Sequence, residues 1–295
     1  MKKKSFAVLS SFVLKVIALA TMTLDHVGYI LGDTLGYNFW VVILLRTIGR
    51  IALPLFCFMI CEGVMHTKRI GHYWLRLGIM GTLVSGALIV IEYAPMFKGF
   101  SMRNEGNIFV DLILGSIAVF FLRRKEPYLK PLAIIPLGIG IVSFIVTAIE
   151  FSGTALIHWF PFFLRPQYHF YGILLIILFY VAYILKGLFL KQYSNNSGIP
   201  VESLETTNVD RYAANLIAFG MLIFATLGFY LLSFILPEEY LYFDYELQTA
   251  AIISGAFILL YNGKRGYNAK WFQYGCYLYY PLHMLIIYGL AMLFI

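Results

Sequence analysis

Long apolar runs separated by short polar connections occupy almost the whole chain. Several runs exceed the roughly 20 apolar residues that a helix needs to cross the hydrocarbon core of a bilayer, and the alternating segments of about ten residues that mark membrane strands are absent. We therefore predict an all-α, polytopic membrane protein whose residues 1–295 form a single transmembrane domain. Nine spans are predicted, at about residues 12–31, 38–65, 73–92, 107–122, 131–150, 168–190, 213–236, 244–261 and 271–294.

Composition and charge agree with a membrane location. The chain is 61% hydrophobic and only 13% charged, whereas a soluble domain carries about 25% charged residues. The net charge of +7 is not clustered on one soluble face, which argues against a nucleic-acid partner. The polar stretch 191–212 is predicted to be an inner linker, and the aromatic, proline-containing stretch 151–169 an outer cap at headgroup level.

The basic residues predict the orientation. With the N-terminus in the cytoplasm, seventeen of the 22 Lys and Arg residues fall on the inner side, including Lys2, Lys3 and Lys4. The other five are Lys98, Arg103 and Arg165 on the outer side and Arg46 and Arg50 within the membrane. This bias predicts an N-in/C-out topology. Because Lys15 interrupts the first apolar run, we expect a retained helix instead of a cleaved signal peptide.

Ionisable residues are concentrated in the first two predicted spans. Such residues are costly at membrane depth and usually mark a functional site. The set comprises Lys15, Asp25, His26, Arg46, Arg50, Glu62 and His66. Lys15 and His26 are eleven residues apart, so they share a helix face about 16 Å apart along the axis. Lys15 is either a lysine that snorkels to the membrane surface or a cofactor contact. His26 is either a structural histidine or a base.

Arg46 and Arg50 are four residues apart and share a face of span two. An arginine keeps its charge when buried and needs a carboxylate or other acceptor nearby, and Asp25 in span one lies at a matching depth. Pro54 cannot donate a hydrogen bond to the Arg50 carbonyl, which predicts a kinked or unwound helix at this point. A structural Arg–Asp pair and a cavity for an anionic or carbonyl group are both consistent with this pattern.

More polar residues extend the predicted site in two directions. Glu62 and His66 near the inner end of span two, followed by Lys68 and Arg69, indicate either a phosphate-binding mouth or an ordinary basic helix flank. Toward the membrane interior, four more side chains favour one enclosed polar chamber: Asn107, Asp111, Tyr280 and His283.

Five stretches resemble a known family. They are LKVIALATMTLDHVGYI, RTIGRIALPLFCFMICEGVMHT, NIFVDLILG, YNGKRG and YLYYPLHMLIIY. Together they are similar to the TraX family, multi-span membrane proteins named for the conjugation protein that N-acetylates pilin. The resemblance runs from about Leu14 to Ile287, with residues 130–250 matching in hydropathy only.

The family also resembles the broader membrane acyltransferase-3 type of enzyme. That group has a basic residue and a histidine eleven apart on the first helix, a spacing that Lys15 and His26 reproduce. It also has paired arginines, which Arg46 and Arg50 resemble with one additional residue between them. Its N-x-F-x-T-L pattern differs here, because Val110 and Asp111 precede Leu112.

The resemblance implies acetyl transfer from cytosolic acetyl-CoA to an extracytoplasmic acceptor, by an enzyme of the bacterial cytoplasmic membrane and its cell envelope. In this hypothesis His26 is the base or transient acyl carrier, Arg46 and Arg50 stabilise the oxyanion, and Asp25 and His283 orient the centre. The donor would be bound by Lys15, Glu62, His66, Lys68 and Arg69, and the acceptor by Asn107, Asp111 and Tyr280.

Several alternatives stay open at this stage. The acceptor is either a pilin or peptide N-terminal amine, or a hydroxyl of a surface polysaccharide or glycolipid. Besides surrounding membrane lipid, no other partner is implied, and no metal is expected. From other functional classes, buried Asp, His and Arg also build proton-coupled transporters, and a scaffold of a surface-appendage system would need no chemistry at all.

Overall fold

A computed structural model describes residues 7–33, 36, 38–97, 101–205 and 208–293. Lys2, Lys3, Lys4 and Lys98, which enter the orientation argument, lie outside these ranges. Within them the chain forms twelve α-helices: α1 Ser11–Asp33, α2 Phe39–Gly49, α3 Ala52–His66, α4 Ile70–Tyr93, α5 Ile108–Leu122, α6 Ile134–Phe151, α7 His169–Ser197, α8 Val201–Glu205, α9 Asn208–Leu231, α10 Tyr245–Gln248, α11 Ser254–Leu259 and α12 Lys270–Ala291. Short 3₁₀ turns connect several of them, and these described ranges contain no β-strand.

Six helical segments are long and apolar enough to cross a membrane. They are Ser11–Gly32, Phe39–His66, Ile70–Tyr93, Pro127–Phe151, Phe162–Ser197 and Asn208–Phe234. The prediction of an all-helical, multi-pass membrane protein is therefore confirmed, because each segment reaches the length that the hydrocarbon core demands.

The other three predicted spans coincide with helices of a different character. Helix α5 has 15 residues. Residues 244–261 are not one helix, because α10 and α11 are joined by the 3₁₀ turn Thr249–Ile253. Helix α12 has 22 residues and stays continuous through Pro281, but it carries Lys, Gln, His and several Tyr residues.

The break predicted in span two is present. Helix α2 ends at Gly49 and α3 begins at Ala52, with Arg50 and Ile51 in a turn between them. Pro54 lies in the first turn of α3, where its missing N–H costs no hydrogen bond. The break allows Arg50 to leave the helical surface and reach α1.

The inner linker is shorter than predicted. Helix α7 continues to Ser197, and Gly198 then adopts a left-handed conformation with φ of 71° that ends it. Helix α9 begins at Asn208, and Lys186 binds Asp210 at 2.7 Å. The stretch 191–212 predicted as a polar linker is therefore helical over most of its described residues, because polar residues continue α7 beyond its apolar part.

The outer stretch 151–169 is tied down by a buried ion pair. Both terminal nitrogens of Arg165 bind the carboxylate of Glu150, at 2.6 and 3.0 Å. Arg165 is buried within the protein. Trp159, by contrast, is 71% exposed, as expected of a headgroup-level aromatic residue. This arrangement fixes the backbone that leads into α7.

Backbone hydrogen bonds join the residues just before α1 to the loop between α11 and α12. Leu9 N–H donates to the Leu260 carbonyl at 2.9 Å, and Asn262 N–H donates to the Leu9 carbonyl at 2.8 Å. This parallel bridge holds the start of α1 beside the loop that precedes α12. The two helices therefore pack side by side from one end.

Candidate functional site

A buried ion pair joins the first helix to the break in span two. The Arg50 guanidinium lies 2.7 Å from the Asp25 carboxylate, and the two side chains are only 7% and 16% exposed. A second guanidinium nitrogen of Arg50 lies 3.4 Å from the Gln248 side-chain oxygen. Gly49 makes the approach feasible, because a Cβ there would overlap the Asp25 side chain. Asp25 and Arg50 thus meet, as the sequence predicted.

Two histidine rings meet next to this pair. His283 Nδ1 lies 3.1 Å from the Tyr279 carbonyl, which only accepts, so neutral His283 carries its proton on Nδ1 and its Nε2 accepts. His26 Nδ1 lies 2.9 Å from the Met22 carbonyl and 3.2 Å from His283 Nε2. The partners thereby assign the His26 proton to Nδ1. Within the described residues Nε2 of His26 has no hydrogen-bond partner and keeps its lone pair.

Tyr280 and Gln167 close the chamber beside the histidines. The Tyr280 ring centroid lies 6.3 Å from that of His26 and 5.3 Å from that of His283. Its hydroxyl donates to the Gln167 side-chain oxygen at 3.3 Å. A small cavity of about 30 Å³ lies between Asp25, His26, Gln167 and Tyr280, which is room for about one water molecule.

Asp111 and Asn107 are buried, and backbone groups engage their side chains. The two carboxylate oxygens of Asp111 accept the backbone N–H groups of Gln167 and Tyr168, at 2.6 and 3.1 Å. A carboxylate at this position also stabilises the N-terminus of α7. Asn107 accepts from Phe109 N–H at 3.0 Å and donates to the Gly81 carbonyl at 2.7 Å. Asp111 and Asn107 therefore fix the backbone around the polar chamber. Their predicted contacts with the substrate that accepts the acetyl group stay predictions.

Arg46 lies one turn before Arg50 and contacts α1 one turn beyond Asp25, at Tyr29. Its guanidinium carbon is 5.7 Å from the centre of the Tyr29 ring, and its buried Nε has no hydrogen-bond partner among the described residues. Glu105, in the connection before α5, interacts with Arg46 electrostatically. Burial raises the pKa of Glu105, and the nearby Arg46 charge partly opposes this rise. Arg46 and Glu105 thus lie close enough to interact, beside the Asp25–Arg50 pair.

A large cavity of about 410 Å³ lies between α1, α3, α4 and α12. One end is formed by Lys15, the last turn of α3 and the loop 261–268, and the other reaches Ile108 and Tyr280. Ile108 and Tyr280 also line the small cavity beside His26. The two spaces are therefore neighbours, separated by these shared side chains and Phe56.

The predicted donor contacts divide into two groups. Lys15, Glu62 and His66 line the large cavity. Lys68 and Arg69 are exposed and are not among its lining residues. Helix α3 ends at His66 and Thr67 is extended, with ψ of 136°, so the chain leaves the helix face that borders the cavity.

Several lining residues were not singled out by the sequence analysis. Arg76, Arg265 and Cys276 line the large cavity, and Gln167 lines the small one. Arg265 could have been found in the motif YNGKRG, because a basic residue between two glycines is held by a specific loop. Gln167 carries no such signal, since its role depends on which helices become neighbours.

The bundle and its buried polar cluster define a multi-pass helical membrane protein with an internal site. The family model described as TraX protein matches residues 10–204, well over half of the chain. The chain belongs to the TraX family, as its motifs predicted. The motifs YNGKRG and YLYYPLHMLIIY lie beyond the matched residues, and the match includes residues 130–204, where only hydropathy was expected to agree.

Two curated relatives match shorter stretches. The chain is 31% identical over 113 residues to a protein of Dichelobacter nodosus named probable fimbrial assembly protein FimC, serogroup H1, a match that covers 37% of this chain and 45% of the relative. It is 27% identical over 112 residues to an uncharacterized protein of Rickettsia prowazekii (strain Madrid E), covering 38% and 37% of the two chains. The chain thus spans less than half the length of either relative. No solved structure matches significantly.

Proposed function

We propose that the protein is a membrane-embedded acetyltransferase that moves an acetyl group from cytosolic acetyl-CoA to an extracytoplasmic acceptor. The observation that carries the proposal is the pair of adjoining cavities, with basic side chains at one end and the free Nε2 of His26 near the other. In this proposal all nine apolar segments cross the membrane, N-in/C-out, and the large cavity opens to the cytoplasm. A relationship to acyltransferase-3 type enzymes is part of this proposal.

The residues that line the large cavity fit the donor. Lys15 supplies positive charge at one end, and Phe109, Leu112 and Ile108 form an apolar wall toward the other. Lys15 and His26 are about 16 Å apart along α1 by helical rise, a distance that an extended pantetheine arm can cover. A thioester delivered along this path would arrive beside Tyr280, at the wall shared with the small cavity.

His26 is proposed to act as the general base. The acceptor amine attacks the thioester carbonyl, its proton passes to Nε2 of His26, and the thiol leaves with a proton, giving amide and free CoA. The hydrogen bond of His26 Nδ1–H to His283 stabilises the imidazolium that forms, since His283 presents a lone pair. Arg46 has an unpartnered Nε, which supports a role for it in stabilising the oxyanion.

An amine is proposed as the acceptor. TraX membership, together with a relative named for fimbrial assembly, favours the N-terminal amine of a pilin-type protein over the hydroxyl of a surface polysaccharide or glycolipid. Incubating the purified protein with labelled acetyl-CoA and either a pilin N-terminal peptide or a cell-surface glycan distinguishes the two acceptors.

The test of the catalytic role uses His26→Ala in the purified protein. Loss of a general base lowers transfer by roughly 10²–10⁴-fold. His72→Ala is the matched control, because His72 is exposed on α4 and lines neither cavity. Full transfer by His26→Ala contradicts the proposal, and a labelled His26 adduct that forms without acceptor assigns it as acyl carrier instead of base.

The second candidate is a proton-coupled transporter. The direct contact of His26 with His283 favours it, because paired imidazoles next to a buried Asp–Arg pair also form proton relays. Proton uptake into liposomes in the absence of acetyl transfer would establish this alternative.

A further inference from the structure

Three basic side chains from three different elements line the large cavity. Lys15 of α1, Arg76 of α4 and Arg265 of the loop 261–268 all line it, and none forms an ion pair within the described residues. Glu62 is the carboxylate among the lining residues, and it lies 3.4 Å from the Tyr261 hydroxyl. Basic side chains therefore outnumber acidic ones, which favours a ligand with more than one negative charge.

The loop that carries Arg265 is held in place by the N-terminus of α1. Ser11 N–H donates to the Lys264 carbonyl at 2.8 Å, and Phe12 N–H donates to the Arg265 carbonyl at 3.0 Å. Gly266 adopts φ of 69°, and a Cβ there would overlap the Ser10 hydroxyl. Glycine is required for this approach, so the motif YNGKRG builds a fixed platform for an arginine.

An aromatic wall lies beside these charges. Phe12, Tyr267 and Phe272 all line the cavity. The Phe12 centroid is 5.5 Å from that of Tyr267 and 4.7 Å from that of Phe272. Aromatic rings next to basic groups are the usual means of holding a nucleotide, with the base stacked on a ring and the phosphates bound by arginine.

We propose that this part of the cavity is a subsite for an adenosine bisphosphate group. Arg76, Arg265 and Lys15 bind its phosphates, and the Phe12–Tyr267–Phe272 wall receives its base. The inference rests on the proposed function in taking acetyl-CoA as the molecule that carries this group. It assigns donor recognition to Arg76 and Arg265, in place of Lys68 and Arg69.

Cys276 provides a readout that is independent of acetyl transfer. It lines the same cavity, one turn beyond Phe272, whereas Cys57 and Cys61 are buried. Adenosine 3′,5′-bisphosphate added to the purified full-length protein is expected to slow maleimide alkylation of Cys276. Protection that occurs without acetyl transfer would overturn the proposed function and leave the subsite intact. Absence of protection at millimolar nucleotide overturns the subsite, whatever the transfer activity.

Variants then test the residues themselves. Arg76→Gln and Arg265→Gln are expected to abolish protection and to raise the KM for acetyl-CoA by roughly tenfold each, with kcat unchanged. Transfer from S-acetylpantetheine, which lacks the nucleotide, should be the same in both variants as in the unmodified protein. Lys264→Gln removes the same charge from the neighbouring, exposed position that does not line the cavity, and it should behave like the unmodified protein.

Lipid headgroups also carry phosphate, so a separate experiment distinguishes them from the nucleotide. The alkylation assay is repeated in nanodiscs of phosphatidylcholine alone and with phosphatidylglycerol added. Protection by nucleotide in both supports the subsite. Protection by phosphatidylglycerol without any effect of the nucleotide overturns it, as would equal protection in Arg265→Gln and Lys264→Gln.

Discussion

Replacing Asp25 by Asn should destabilise the protein strongly. The substitution keeps the shape of the side chain but leaves the charge of Arg50, which is 6% exposed, without its carboxylate 2.7 Å away. The remaining contact, to Gln248 at 3.4 Å, is too long to replace it. Breaking a buried pair costs about 3–5 kcal/mol, which for a chain of this size corresponds to roughly 6–20 °C in Tm.

A pair with one exposed partner provides the control. Arg103 binds Glu92 at 3.0 Å but its side chain is 56% exposed, so Arg103→Gln should cost about 0.2–1 kcal/mol. The double variant Asp25→Asn/Arg50→Gln removes both charges and should lose about 1–3 kcal/mol less than the sum of the single variants. Thermal unfolding of the purified variants measures all four proteins. Equal losses for Asp25→Asn and Arg103→Gln, or strictly additive single variants, would refute the account of this pair.

Three further predictions concern the walls of the site. Gly49→Ala should lower stability by about 1–3 kcal/mol, because its Cβ would overlap Asp25, whereas Gly78→Ala meets no atom within 4 Å and should be neutral or slightly stabilising in thermal unfolding. Asp111→Asn turns an NH₂ group toward a backbone donor and should lower stability by about 1–3 kcal/mol. Asp111→Glu keeps the charge but moves the carboxylate away from the two N–H groups, and it should lower stability by a similar amount. Burial raises the pKa of Glu105, so its contribution to the free energy of unfolding is complete at low pH and is lost as the pH rises through that raised value. In Glu105→Gln the free energy of unfolding should therefore fall less with pH, as measured by denaturation from about pH 4 to pH 8.

Features that are determined within a single helix could be predicted from the sequence. The helical class follows from apolar runs of membrane length, and the break in span two follows from Pro54 because proline removes a fixed hydrogen bond. The Asp25–Arg50 contact could also be predicted, because a buried guanidinium requires a carboxylate nearby and few carboxylates are available at that depth.

Features that depend on which helices become neighbours could not be predicted. Arg76 and Arg265 are far apart in sequence and face one cavity only because α4 and the loop before α12 pack against the start of α1. The sequence does not distinguish Lys68 and Arg69 from His66, but α3 ends at His66 and the other two residues lie beyond it. The same limit explains 191–212, where polar composition concealed a helix that extends out of its apolar segment.

The contact between His26 and His283 joins residues 257 positions apart, on helices α1 and α12. Membrane helices enter the bilayer in order of synthesis, so a nascent chain that has inserted up to Leu259 carries His26 without its partner ring. In the proposed enzyme, the contact that orients His26 consequently forms only when α12 packs beside α1, so a chain inserted only up to Leu259 would lack it.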